Sequence, residues 1–138
     1  MTGAFELLEH TADVGIRATG DSPEEVFAAA AEGLASILGA WFPGEGEEHP
    51  IEVHADDQAG LLVSWLDELL YLHESRDAVF GGFDVRRVED SELEAGVRLA
   101  PRGNRDLEGV GVKAATYHRV RLEREPNRGW VADVYVDV

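Results

Sequence analysis

A chain of 138 residues has room for one ordinary domain, and its 44% hydrophobic and 29% charged content is that of a folded globular protein. Its 28 acidic side chains against 12 basic ones leave a formal charge of −16, which argues against tight, direct binding to a phosphate backbone. With no cysteine, a disulfide scaffold, a thiolate zinc site and a cysteine nucleophile are all excluded, and the cytosol is the expected compartment. All but one of the basic residues are arginine. Lys113, the only lysine, is a compact point charge where the rest are planar forks, which marks it for attention.

The segment FELLEH predicts a first short strand, with Thr11, Ala12 and Asp13 as a turn into a second. In that second strand Val14, Ile16 and Ala18 alternate with Gly15, Arg17 and Thr19. Ser22, Pro23 and Glu25 form a helix start: a capping hydroxyl, a proline at the first helical position and a capping-box glutamate. Val26, Phe27, Ala30, Leu34, Ile37 and Leu38 give that helix an apolar stripe running to about Ala40. The most apolar stretch, Val26 to Phe42, is broken by Glu32 and falls short of the ~20 apolar residues of a membrane span. Its flank of Asp21, Glu24 and Glu25 is the reverse of a signal peptide's basic one, so neither a span nor a leader is expected.

A loop from Trp41 to Pro50 leads to a short strand around Ile51 and Val53. A second helix, opening near Asp56 or Asp57, carries Leu61, Leu62, Trp65, Leu66, Leu69, Leu70 and Leu72 on its core face. From Val79 the period becomes two. Gly81-Gly82 suggests a bulge in a strand pair, and Leu93 to Leu99 alternate. Val110, Val112, Ala114, Thr116, His118, Val120 and Leu122 mark one face of a long strand, opposite Lys113, Tyr117, Arg119 and Arg121. Trp130, Ala132, Val134 and Val136 oppose Asp133, Tyr135 and Asp137 in the last one. The expectation is a single α+β domain over residues 1–138, two amphipathic helices packed on mainly antiparallel β-sheet.

Chemistry concentrates at the C-terminal strand. Asp137 beside the oxygens of Val138, with Asp133 on the same face, suits a hard cation, calcium or magnesium more than zinc, if a third carboxylate joins them. Asp13 is the first candidate. His10 and His118 read as structural residues, His118 on the core face; His49, His54 and His73 have no zinc-like spacing. There is no nucleophile elbow, Walker A or dinucleotide fingerprint. Arg86-Arg87, and Arg119 with Arg121 and Arg124, make weak basic patches that surrounding carboxylates would blunt.

Four collinear segments together resemble the archease family: HTADVGIRATG with SPEEVF, LLVSWLDELLYLHE, VKAATYHRV and the ending VYVDV. The resemblance implies an accessory protein rather than an enzyme. Such proteins act on the RtcB-type RNA ligase of tRNA splicing, promoting its guanylylation and multiple turnover and broadening the nucleotides it uses. It also implies an archease-like α+β fold and a divalent-metal site, calcium first and magnesium or manganese as alternatives. The implied ligands are Asp13, Asp137 and Val138, the last through a main-chain or terminal oxygen. Lys113 matches the family's functional lysine, while His10 and His118 are candidates for orienting Asp13 or bracing the strand. Asn104 departs from a glutamate common in the family, and the strand motif reads A-A-T rather than A-V-T. Two other classes remain open: a chaperone-like modulator of a tRNA-modifying enzyme such as a methyltransferase, and a metal-dependent hydrolase using the same carboxylates. No general base in the sequence supports the hydrolase.

Overall fold

The computed structural model describes residues 3–9 and 13–138. Its elements run β1 (Ala4–Glu9), β2 (Asp13–Gly20), α1 (Pro23–Ile37), β3 (Glu47–His54), α2 (Gln58–Ser75), β4 (Ala78–Val88), β5 (Glu92–Pro101), β6 (Ala114–Glu125) and β7 (Gly129–Asp137). The strands form two antiparallel sheets, ordered β1-β2-β7-β6 and β3-β5-β4. This is the expected α+β class, with the strands divided between two sheets.

Helix α1 starts as its sequence dictates. The Ser22 hydroxyl accepts the Glu25 N–H at 3.2 Å, and the Glu25 carboxylate accepts the N–H of Asp21, one residue before the cap, at 3.1 Å. The helix stops at Ile37 rather than Ala40, because Gly39 turns left-handed at φ +68° and the N–H of Val110 takes the Ile37 carbonyl at 2.8 Å. Ala28, Ala29, Ala31 and Ala35 are buried along with the predicted stripe. The reason is position: α1 packs on β1, β2 and β7 of one sheet and on β4 of the other, so the helix is covered on more than one side. Small side chains allow both sheets to approach it.

Helix α2 is capped by Asp57, whose carboxylate accepts the Gly60 N–H at 2.7 Å. Trp65, fully buried, donates its indole N–H to the Phe27 carbonyl at 3.0 Å, tying α2 to α1. The predicted glycine bulge is present in β4, where the register against β5 shifts between Phe80 and Gly82. A Cβ on Gly81 would stand 1.7 Å from the Glu45 carbonyl oxygen, so only glycine fits. Strand β3 begins at Glu47, earlier than its apolar residues suggest, because pairing with β5 orders its polar half; Pro50 is tolerated on a sheet edge.

Two sequence expectations fail in the four-stranded sheet. Asp13 is the first residue of β2, paired with Asp137, rather than part of a turn. The strand expected from Val110 to Leu122 is also shorter and not continuous. It enters the sheet only at Ala114, and between Thr116 and Arg121 it advances five residues while β7 advances two. An odd surplus of residues exchanges the two faces. Ala115 before the bulge and Leu122 after it therefore both oppose core residues of β7, Val136 and Ala132. His118, expected on the core face, is exposed in the bulge together with Tyr117 and Arg119. Arg119 lies at φ +61°, a left-handed conformation that costs a non-glycine residue about 1 kcal/mol.

Candidate functional site

Val14, Ile16 and Ala18 of β2 and Val136, Val134 and Ala132 of β7 face the helices. The alternate residues share the outer face, where Asp13, Gly15 and Arg17 stand opposite Asp137, Tyr135 and Asp133. The Tyr135 ring lies across Gly15: a Cβ there would meet Tyr135 Cε2 and Leu8 Cβ at 2.8 Å. On the other side of β7, Ala114 pairs with Asp137, and the Lys113 N–H donates to the Asp137 carbonyl at 2.8 Å. The ends of three strands thus gather Asp13, Lys113 and Asp137 at one edge of the sheet, with Val138 next in the chain. Lys113, Asp137 and Val138 are exposed, and Asp13 is half-buried.

The Asp137 carboxyl is held above the usual aspartate range. The largest cause is a hydrogen bond shared with the Asp13 carboxyl; burial and the Asp13 charge add to it, and the Lys113 ammonium opposes it. Two carboxylates this close favour a proton between them, and a hard cation relieves the same repulsion. The donor set therefore fits calcium or magnesium chemically. Among the described residues no group of three or more histidine, aspartate or glutamate side chains gathers at one point, so the described carboxylates of Asp13 and Asp137 leave the remaining positions around a cation to other donors.

Asp133, on the same strand and face, is a different case. It is 8% exposed and sits between two arginines. Arg17 donates from Nε and Nη2 at 2.7 and 3.1 Å, and Arg121 from Nε at 2.9 Å. Burial alone would raise its pKa, but these hydrogen bonds and charges hold it below the usual range, and both guanidinium pKa values rise in return. Asp133 is thus taken up by the fold and does not extend the Asp13–Asp137 pair.

His10 lies outside the described residues. The His118 backbone N–H donates to the Thr116 hydroxyl at 3.0 Å, and its exposed ring makes no hydrogen bond or ion pair among the described residues. His73 has a structural partner: Nδ1 lies 2.6 Å from the Ala78 carbonyl, and the ring stacks on Phe80. Of the arginine patches, Arg86 pairs with Glu48 and Asp84, Arg87 with Glu89 and Glu94, and Arg121 with Asp133, Glu123 and Glu125, whereas Arg119 and Arg124 make no ion pair among the described residues. One informative residue was passed over in the sequence. Asp67 of α2 accepts the Ala115 N–H at 2.8 Å, beside the Lys113 end of β6, and burial raises its pKa. A carboxylate one residue from core Leu66 was the available signal. No helix among the described residues is long and apolar enough to cross a membrane.

A family model described as the Archease protein family matches residues 5–138. "Protein archease" of Pyrococcus furiosus is 38% identical over 97% of this chain and 98% of its own length. Its counterpart in Methanosarcina mazei is 35% identical over 97% and 95%. The solution structure of Methanobacterium thermoautotrophicum protein 1598 superimposes with a TM-score of 0.76 at 28% identity, covering 98% of this chain and 99% of that one. The crystal structure of a Thermotoga maritima archease, described as a possible chaperone, shares the fold with a TM-score of 0.59 at 22% identity over 96% of both chains. With residues 5–138 matched by the family model and 97% of the chain aligned to its relatives, the chain belongs to the archease family.

Proposed function

We propose that this protein is an accessory activator of an RtcB-type RNA ligase, promoting guanylylation and multiple turnover and broadening nucleotide use, with no catalysis of its own. The observation that carries the reading is the convergence of Asp13, Asp137 and Lys113 at one sheet edge open to solvent. These are the positions at which the family's motifs fall. The proposed metal ligands are Asp13, Asp137 and the main-chain oxygen of Val138.

Bound there, a divalent cation, calcium first, would supply fixed positive charge at the tip of an otherwise acidic protein. The chain's own residues have separate tasks. Asp13 and Asp137 present oxygens across two adjacent strands, β2 and β7, whose register pairs them directly. Lys113, anchored by its N–H to the Asp137 carbonyl, offsets phosphate charge or pairs with an acidic ligase group when the tip enters the nucleotide site. The surrounding negative charge steers the protein toward the basic, RNA-binding face of the ligase rather than toward RNA. The cytosol is the compartment in which such a partner would be met.

The test is ligation by a cognate RtcB-type ligase with GTP and manganese, under single- and multiple-turnover conditions. The reading expects multiple turnover only when this protein is present, with Lys113→Ala and Asp137→Ala folded but defective in stimulation. Equal turnover with and without the parent protein would refute it; full stimulation by both variants would refute the site.

A further inference from the structure

Between Thr116 and Arg121, β6 leaves the β7 ladder and projects Tyr117, His118 and Arg119 into solvent. Arg119 holds φ +61°, where glycine or asparagine would sit with less strain. Most of the arginines use their guanidinium groups: Arg17 and Arg121 on Asp133, Arg86 on Glu48, Arg87 on Glu94, Arg98 on the Gly46 carbonyl and Arg105 on Glu45. Arg119 has no ion pair or hydrogen bond among the described residues. A strained, unpartnered cation contributes nothing visible to the fold, and such outliers collect at functional surfaces.

Its neighbourhood has the composition of a binding surface. Tyr117 is 62% exposed yet braced against the first turn of α2, its Cε1 lying 3.7 Å from where a Gly60 Cβ would be. The Asp67 bond to Ala115 holds β6 along α2, and one helical turn beyond Asp67 on the same side stands Tyr71, 64% exposed. Lys113 immediately precedes β6 and is exposed. Aromatic and arginine anchors of this kind supply most of the affinity in protein interfaces, because they bury much area at little entropic cost. The flanking carboxylates of Asp13, Asp57 and Asp137 disfavour a phosphate backbone and match a protein with a cationic rim.

We propose that the seam of β6 and α2, with Tyr117 and Arg119 as its anchors, is the surface that docks on the protein partner. Tyr117 enters an apolar pocket and Arg119 meets a carboxylate within the cationic rim. The inference rests on the proposed function in taking the RtcB-type ligase as that partner.

The experiment measures the affinity of the RNA-free ligase for the parent protein, Tyr117→Ala, Arg119→Glu and Arg119→Asn, alongside each protein's Tm with and without calcium. Each variant is expected to bind about ten-fold more weakly. Arg119→Asn is expected to have a Tm equal to or above the parent's, since asparagine accepts a positive φ; that separates lost contact from lost fold. The calcium-induced shift should be the same in all four proteins. Parent-like affinity in the variants would overturn the docking surface alone. Failure of the parent to bind would overturn the partner and the surface together, and Arg119-dependent binding to RNA without the ligase would overturn the choice of a protein partner.

Discussion

Two pairs of residues on the outer face of β2 and β7, separated by Gly15 and Tyr135, behave oppositely. At the middle of the sheet Asp133 is covered, receives hydrogen bonds from Arg17 and Arg121, and has its pKa driven down. At the open end Asp137 faces another carboxylate, Asp13, and has its pKa driven up, with one ammonium, Lys113, opposing. The same residue type on the same strand is therefore internally compensated in one place and left wanting a cation in the other. A carboxylate that brings its own guanidinium groups is an element of the fold; one that faces its like at an open edge is available to something outside it.

The contrast can be broken most forcefully at Asp133. Replacing it by alanine strands two arginines on the sheet and should cost about 2 kcal/mol, below the range for fully buried pairs because both guanidinium groups are about a third exposed. Urea unfolding measures this, and a loss no greater than for Asp137→Ala would erase the distinction. Asp67 gives the next effect. Asp67→Ala leaves the Ala115 N–H unpaired and should cost about 1–2 kcal/mol, whereas Asp67→Asn keeps an acceptor, removes a half-buried charge and should be close to neutral.

A smaller effect is read against pH. The folded-state pKa of Asp133 lies below its unfolded value of about 3.9, so its contribution is fully present above that value and disappears as pH falls through the depressed one. Asp133→Asn should flatten the acid limb of stability against pH in that window; an unchanged limb would deny the compensation. Smallest of all, Lys113→Ala should leave the unfolding midpoint where it is, since its side chain is exposed, while impairing ligase stimulation.

Much of this was legible in the chain itself, for local reasons. Ser22-Pro23-Glu25, the leucines of α2 and the alternation of β7 each carry their structure within a few residues, and the bulge at Gly81-Gly82 announces itself through glycine. What escaped depends on distant partners. Nothing local says that Asp13 pairs with Asp137 instead of turning. The bulge after Thr116 contains no glycine, so an unbroken alternation puts Ala114, Thr116, His118, Val120 and Leu122 on one face; Val120 and Leu122 do pack on the core, but before the bulge the faces are exchanged, with Ala114 and Thr116 opposite Asp137 and Tyr135, and His118 is exposed. Asp67 reads in the sequence only as a polar residue off the apolar face of α2, because its importance lies in a single N–H contributed by β6. For the candidate site, Asp13, Asp137 and Lys113 stood out by residue type and motif, but that they share an edge is a property of the sheet order.

The most direct test of the contrast is the Tm of the parent, Asp13→Asn and Asp137→Asn with increasing calcium. An open carboxylate pair that binds the cation in the folded state alone predicts a Tm that climbs with calcium in the parent and is flat in both variants. A flat parent, or variants that climb as steeply as the parent, would contradict it.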